Sequence, residues 1–200
     1  KIQTYNADSM TIKSKKGQFY IKKGLWKNKN LYNLYKKAST PLNWIKPLFQ
    51  EAKKNNITVF STPFDLKGLE ELEKFNPPAY KISSFEIVDL EFLKNVSMTK
   101  KPIILSTGMA SFKEIEEALT VIYKESSKKI ILLHCISAYP TGVEEANLSR
   151  IIELKKRYNV LVGLSDHCLN NITSIVGSTL GACLIEKHFI LSRKDKSPDS

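Results

Sequence analysis

The stretch Pro102-Ile103-Ile104-Leu105-Ser106-Thr107-Gly108-Met109 decides the fold. Three aliphatic residues after a proline make a run of strand length, and it breaks at once into hydroxyls and a glycine. Ser111-Phe112-Lys113-Glu114 then reads as a capping box, with Ser and Glu serving each other's orphan backbone groups. It opens a helix to about Tyr123, and Ile130-Ile131-Leu132-Leu133 follows as a second strand, ending on His134-Cys135. Near-continuous apolar runs fit strands buried on both faces, as in parallel sheets. A helix between two such strands is the crossover that a parallel pair requires.

The same pattern repeats outward in both directions. Ile57-Thr58-Val59-Phe60 precedes Ser61-Thr62-Pro63-Phe64-Asp65; Val160-Leu161-Val162 precedes Ser165-Asp166-His167; Ala182-Cys183-Leu184-Ile185 precedes Glu186-Lys187-His188-Phe189. Two weaker strands are Lys1 to Tyr5, carrying Lys1-Ile2-Gln3, and Ala79 to Ile82, which leads into Ser83-Ser84-Phe85-Glu86. Further helices are predicted after Thr40-Pro41, where proline suits the first helical position, and over Leu148–Tyr158 and Ile172–Leu180. Pro47 predicts a kink or restart in the first of these. Strand–helix alternation throughout gives an α/β fold with a parallel sheet. Chemistry placed at successive strand ends is the habit of a parallel (β/α)8 TIM barrel. Seven strands are one short of closure, and 200 residues fall below the roughly 250 typical of that barrel. The expectation is one domain, residues 1–200, forming a barrel that lacks its first strand–helix unit.

Composition narrows the class. Lys and Arg outnumber Asp and Glu by 31 to 20, a formal charge of +11. The lysines fall in helix-like and loop stretches without interleaved stacking aromatics, so a solvated basic surface is expected, and not nucleic acid binding. A positive field would still gather an anionic substrate. No run reaches membrane-spanning length. Cys135, Cys168 and Cys183 form no CxxC pair, which argues for a reducing, cytoplasmic setting and against a disulfide framework. Each is expected to be a small buried hydrophobe.

The motifs carry the chemistry. His167 and His188, with Asp166 and Glu186 beside them, suit a divalent transition metal such as Mn, Fe or Zn. His134 reads as packed or as supporting a ligand from behind. Lys1 and Lys81 lie in or at the end of strands, where a buried ammonium needs a partner. Pairing with phosphate or carboxylate and Schiff-base formation are both open for them. Thr62, Ser84, Ser106 and Ser165 offer hydroxyls at strand ends, and Ser106-Thr107-Gly108 opens a loop toward a helix, where backbone N–H groups can cradle phosphate. Glu86 is placed to hold sugar hydroxyls or move protons. The basic, aromatic segment from Thr11 to Ser39 is expected to be an elaborated loop over the site and to carry the choice of acceptor.

Taken together, KIQT, STPFD, AYKI-SSFE, ILSTGM, LLHC-SAYPT, GLSDH and IEKHF resemble the sialic-acid synthase family, whose members make N-acetylneuraminic, legionaminic and pseudaminic acids. Gln3-Thr4-Tyr5, Gly24-Leu25-Trp26, Leu31 to Tyr35 and Ser84-Phe85-Glu86 look most like its pseudaminic acid branch. The resemblance implies condensation of phosphoenolpyruvate with an open-chain N-acetylated 6-deoxy hexose, giving a nine-carbon 2-keto acid and phosphate. It implies that Lys1, Gln3, Thr62, Lys81, Ser84, Ser106 and Ser165 bind substrate, with Ser137 and Tyr139 standing where neuraminate synthases fix phosphoenolpyruvate with Asn and Tyr. Glu86 matches a contact to the acceptor sugar. Glu86, Glu186 and Lys81 are the expected catalytic groups, Asp199 a further acidic substrate contact, and His167 and His188 the metal ligands, usually of Mn with Mg or Co as substitutes. Lys187 stands in place of an Arg and Ser197 in place of a Gly, with little effect expected. A C-terminal antifreeze-like domain and a homodimer belong to full-length members, so the fragment alone is expected to be catalytically incomplete. Against this stand a Schiff-base keto-acid aldolase acting through Lys81, and a non-catalytic ligand-binding fragment.

Overall fold

A computed structural model of the chain describes residues 1–125, 129–192 and 194. It divides into two compact units, Lys1–Lys81 and Ile82–Ser200. Both are built from parallel strands and connecting helices, as the alternation predicts.

In the first unit, β1 (Ile2–Thr4) pairs in parallel with β2 (Ser61–Pro63), and β2 with β3 (Tyr80–Ile82) at the unit's end. Between β1 and β2 run α1 (Ala7–Met10), a 3-10 turn at Gly17–Phe19, α2 (Leu31–Ala38), a 3-10 turn at Leu42–Trp44 and α3 (Ile45–Lys54). The Thr11 to Ser39 segment is thus partly helical, with Asn30 capping α2 by accepting from the Asn33 N–H. The Thr40-Pro41 helix begins later than expected. A 3-10 turn intervenes, and Pro47 falls in the first turn of α3, where its missing N–H has no intrahelical partner to lose. α4 (Leu66–Glu73) was not anticipated. Asp65 caps it, accepting from the Gly68 N–H at 2.6 Å, so the last residue of STPFD serves the helix. Ile45, Leu69, Leu72 and Tyr80 are buried, and the Tyr80 hydroxyl donates to Glu73.

The second unit carries α5 (Leu90–Met98), β4 (Ile103–Ser106), α6 (Phe112–Glu125), β5 (Ile130–Cys135), α7 (Ser149–Tyr158), β6 (Leu161–Asp166), α8 (Ile172–Thr179) and β7 (Ile185–Lys187). Its strands pair in parallel in chain order, β4-β5-β6-β7. The core lies between strands and helices: Ile103, Leu105, Leu132 and Val162 from the sheet meet Ile115, Ile122, Ile151 and Leu154 from α6 and α7.

Three apolar runs start their strands later than the hydrophobicity suggests, for one reason. Asn56, Asn159 and Gly181 adopt left-handed φ values of +54°, +49° and +93°. Each ends a helix, and the residues that follow belong to the cap. Ile57 N–H returns to Ala52 and Ala182 N–H to Gly177. Ile57 is therefore exposed, β2 begins at Ser61 and β7 at Ile185. Cys183 is exposed on the same account, which corrects its reading as a buried hydrophobe; Cys135 and Cys168 are buried. Ser61-Thr62-Pro63, Ser106, His134-Cys135, Ser165-Asp166 and Glu186-Lys187 thus lie within the strands, while Ser84, Glu86, Gly108, His167 and His188 follow them.

Gly163 in β6 shows how tightly β6 and β7 approach. A Cβ there would lie 2.5 Å from the Leu184 carbonyl oxygen and 2.7 Å from a Leu133 methyl. Since backbone cannot step aside cheaply, Gly163→Ala is expected to destabilise the chain by about 2 kcal/mol, read as a lowered urea midpoint with unchanged slope.

Candidate active site

In the first unit the register sets Gln3 beside Thr62, and Ser61 beside Tyr80. One rung on from Ser61 and Tyr80 come Thr62 and Lys81. Thr4 and Ser61 share a 2.8 Å hydroxyl contact, settling each other. Thr62 is different: its Oγ1 is fully buried and has no hydrogen-bond partner in the chain. A buried hydroxyl without a partner costs on the order of 1–3 kcal/mol. Lys81 is buried at 2% exposure and engaged within the chain, while Lys1 and Gln3 are exposed.

In the second unit the register draws Cys135, Ser165 and Glu186 into one row across β5, β6 and β7. Ser165 Oγ donates to Glu186 Oε1 at 3.0 Å and lies 3.3 Å from His167 Nε2. His167 Nδ1 sits 2.6 Å from the Ile136 carbonyl, so that nitrogen carries the proton and donates. Nε2 then presents its lone pair on the Ser165 side, the tautomer a ligating histidine needs. Burial lowers the His167 pKa, the Ile136 bond opposes that, and His188 lowers it further, favouring neutral imidazole. The His167 and His188 rings are 5.3 Å apart, and Tyr139 covers both, 4.2 Å from the first and edge-on to the second. The Thr141 N–H donates to the His167 carbonyl at 3.0 Å, tying the Tyr139 loop to β6.

Three hydroxyl-bearing motifs converge next to this row. Ser84 Oγ lies 3.2 Å from Cys135 Sγ. A Cβ on Gly108 would fall 2.6 Å from Ser84 Oγ, 2.7 Å from Ser137 Oγ and 3.0 Å from Cys135 Sγ. Only a glycine lets these hydroxyls approach the turn after β4. Thr107 anchors that turn, its N–H and hydroxyl both donating to the Leu133 carbonyl. At the start of α6, Glu114 accepts from the Ser111 N–H at 2.7 Å, and the Glu114 N–H donates to the Ser111 hydroxyl at 3.3 Å, the predicted capping box. Ser106 is buried at the end of β4, and Glu86 accepts from the Ser83 hydroxyl at the start of a 3-10 turn.

Asp166 and His134 take structural parts. Asp166 points away from Ser165, as alternate strand residues do. It accepts from the Cys168 N–H, Thr173, Ser174 and the Lys187 ammonium. Burial alone would raise its carboxyl, but these donors outweigh it and hold the pKa at about 2. It therefore lends no support to a metal, contrary to expectation. Lys187 spends its remaining protons on the Cys168 and Asn170 carbonyls, at 2.6 and 2.9 Å. His134 is buried, with Nε2 at 2.8 Å from the Ala146 carbonyl, the packed role expected of it.

Glu186, Ser165, His167, His188, Tyr139, Ser84 and Ser137 are thus gathered within the second unit. Gln3, Thr62 and Lys81 lie together in the first, and Asp199 falls outside the described residues. Cys135 was not anticipated as part of the site, and Gly108 was expected there for its backbone N–H, not for the close approach that its missing Cβ allows. Among the described residues no three His, Cys, Asp or Glu side chains converge as a metal cluster. The donor set nevertheless fits a divalent cation held by two imidazoles and completed by oxygen ligands.

The NeuB family model matches residues 1–200. The chain is 46% identical to the pseudaminic acid synthase of Helicobacter pylori across all 200 residues, which make up 59% of that protein. It is 39% identical to the N,N'-diacetyllegionaminic acid synthase of Campylobacter jejuni, again over its whole length and 60% of that protein. In three dimensions it matches the N-acetylneuraminic acid (sialic acid) synthetase of Leptospira borgpetersenii, crystallised with citrate, at a TM-score of 0.84 and 32% identity. That match covers 96% of this chain and 62% of the other. The chain therefore spans about three fifths of the relatives it matches. Among its described residues, no helix is long and apolar enough to cross a membrane.

Proposed function

The chain belongs to the NeuB family, and from that membership we propose that the full-length protein condenses phosphoenolpyruvate with an open-chain, N-acetylated 6-deoxy hexose. The products are a nine-carbon 2-keto sugar acid of the pseudaminic type and phosphate. The observation that carries this reading is the meeting of the Ser165 hydroxyl in β6 and the Glu186 carboxylate in β7 with the His167 and His188 imidazoles just beyond those strands. The Thr62 hydroxyl, buried without a partner, adds an unfilled demand for an oxygen-rich ligand.

Phosphoenolpyruvate bears a phosphate and a carboxylate, and the chain's hydroxyls and lysines are suited to both. In the second unit Ser84, Ser106, Ser137 and Ser165 are the hydroxyls suited to its oxygens; in the first, Lys1, Lys81, Gln3 and Thr62 are the groups suited to the same anionic chemistry. Tyr139, stacked on His167, lines the side of the two imidazoles. Glu186, already accepting from Ser165, is the base that takes a proton from the water attacking C2; Glu86 orients the hydroxyls of the acceptor, and Asp199 contributes a second acidic contact. A divalent cation on His167 and His188, Mn2+ by preference, would polarise the aldehyde. Holding both reactants in line supplies much of the remaining acceleration. We place the protein in the cytoplasm, as a homodimer.

The route of the oxygen tests the reaction. With phosphoenolpyruvate labelled in its bridging oxygen, the label is expected in released phosphate, since water supplies the new C2 oxygen. Label retained in the sugar acid would overturn the reading. The hydroxyl cluster has its own test. Gly108→Ala would push a methyl onto Ser84 and Ser137 and is expected to weaken phosphoenolpyruvate binding roughly tenfold or more, by calorimetry, with circular dichroism unchanged.

A further inference from the structure

The first unit holds a cavity of about 650 Å3 that no step above uses. One wall is a closed loop. Ile21 N–H donates to Lys29 and Asn28 N–H returns to Ile21, at 3.0 and 2.8 Å, and Tyr20 bridges to Asn30. Gly24 and Asn28 take the left-handed φ values that the tight course needs, +80° and +66°. The other wall is one face of α2: Asn33, Leu34, Lys37 and Ala38 recur at helical spacing and all line the cavity. The opposite side of α2 is held by α1 and by Tyr5 against Tyr35.

The lining has a definite chemistry. Tyr20 and Trp26, at 38% and 37% exposure, line it together with Leu34 and Ala38. Asn30 is committed, its amide donating to the Ser14 carbonyl and its oxygen capping α2. Asn28 and Asn33 keep their side-chain amides, and Lys29 and Lys37 their ammonium groups, at the rim. The volume is that of a small-molecule pocket. Aromatic faces stack on the apolar face of a pyranose, amides pair with N-acyl groups, and ammoniums pair with a carboxylate.

We infer that this cavity is a binding site for an acidic, N-acylated sugar. None of its lining residues is among the groups assigned to the reaction, and the chemical class it fits is that of a nine-carbon sugar acid, the product on the proposed function, so it would report product back to the protein. The inference stands on the cavity itself, and its test reads binding without turnover.

The test uses tryptophan emission. The chain has two tryptophans, Trp26 and Trp44, so a full-length Trp44→Phe protein has Trp26 as this segment's reporter. N-acetylneuraminic acid, used as the probe, is expected to change that emission saturably. Lys37→Gln and Lys29→Gln are each expected to weaken binding about 5-fold, while His188→Ala leaves it unchanged. Neutral N-acetylmannosamine is expected to give no saturable change. An emission blind to the acid sugar, or equal binding of the neutral sugar, would overturn the inference. So would binding that is indifferent to both lysine substitutions.

Discussion

Replacing Lys187 with methionine is expected to cost about 3 kcal/mol of folding stability, the low end for breaking a buried ion pair. Lys187 is 29% exposed at its side chain, but its partner Asp166 is 2% exposed. Removing the ammonium leaves a buried carboxylate and frees the Cys168 and Asn170 carbonyls together. The effect has a pH signature. The folded Asp166 pKa of about 2 lies below its ordinary 3.8. A depressed carboxylate contributes stability that is fully present above the unfolded pKa and lost as pH falls through the folded one. That contribution is about 2 kcal/mol from the size of the shift. Wild-type urea midpoints should therefore fall between pH 4 and pH 2, and the Lys187→Met midpoint should be lower at pH 7 with a shallower acid decline. Arginine at 187 should restore most of the loss. A methionine variant as stable as wild type would show that the clamp contributes nothing.

The clamp also bears on the site. Asp166 and Lys187 immediately precede His167 and His188, so one ion pair fixes the backbone from which both imidazoles spring. Direct removal of an imidazole should act far more strongly on turnover. His188→Ala in the full-length protein is expected to lower Mn-dependent phosphate release about 1,000-fold, the loss of roughly 4 kcal/mol of transition-state stabilisation by a Lewis acid. Phosphoenolpyruvate binding should survive, because the proposed contacts to the anion are hydroxyls and lysines. Spin-resonance titration of Mn2+ beside the rate measurement separates the two effects. Unchanged Mn2+ binding in both His188→Ala and His167→Ala would remove the imidazoles from the metal site.

Much of this was legible in the residues. Ile103 to Leu105 and Ile130 to Leu133 declared parallel strands because both their faces are buried, and Ser111-x-x-Glu114 declared the helix between them. The hydroxyls and imidazoles of the site stood at the ends of those runs. What hydrophobicity could not separate was a strand's first residues from the preceding helix's cap. Ile57 and Ala182 look like strand and serve as cap, which displaced β2 and β7 and exposed Cys183. Side-chain direction was also hidden. Ser165 and Asp166 are neighbours in sequence, yet the pleat sends one to Glu186 and the other to Thr173. Gly108 shows a third limit: its importance is the absence of an atom, visible only once Ser84 and Ser137 are placed around it.

The proposed reaction makes a carbon–carbon bond at the expense of phosphoenolpyruvate. Phosphate release by the full-length protein with Mn2+ should be measured against N-acetylmannosamine, 2,4-diacetamido-6-deoxy mannose and 2,4-diacetamido-6-deoxy altrose. Release that requires the altrose, with a sugar acid formed in equal amount, is the expected result. Release without any sugar, or none with all three, would contradict it.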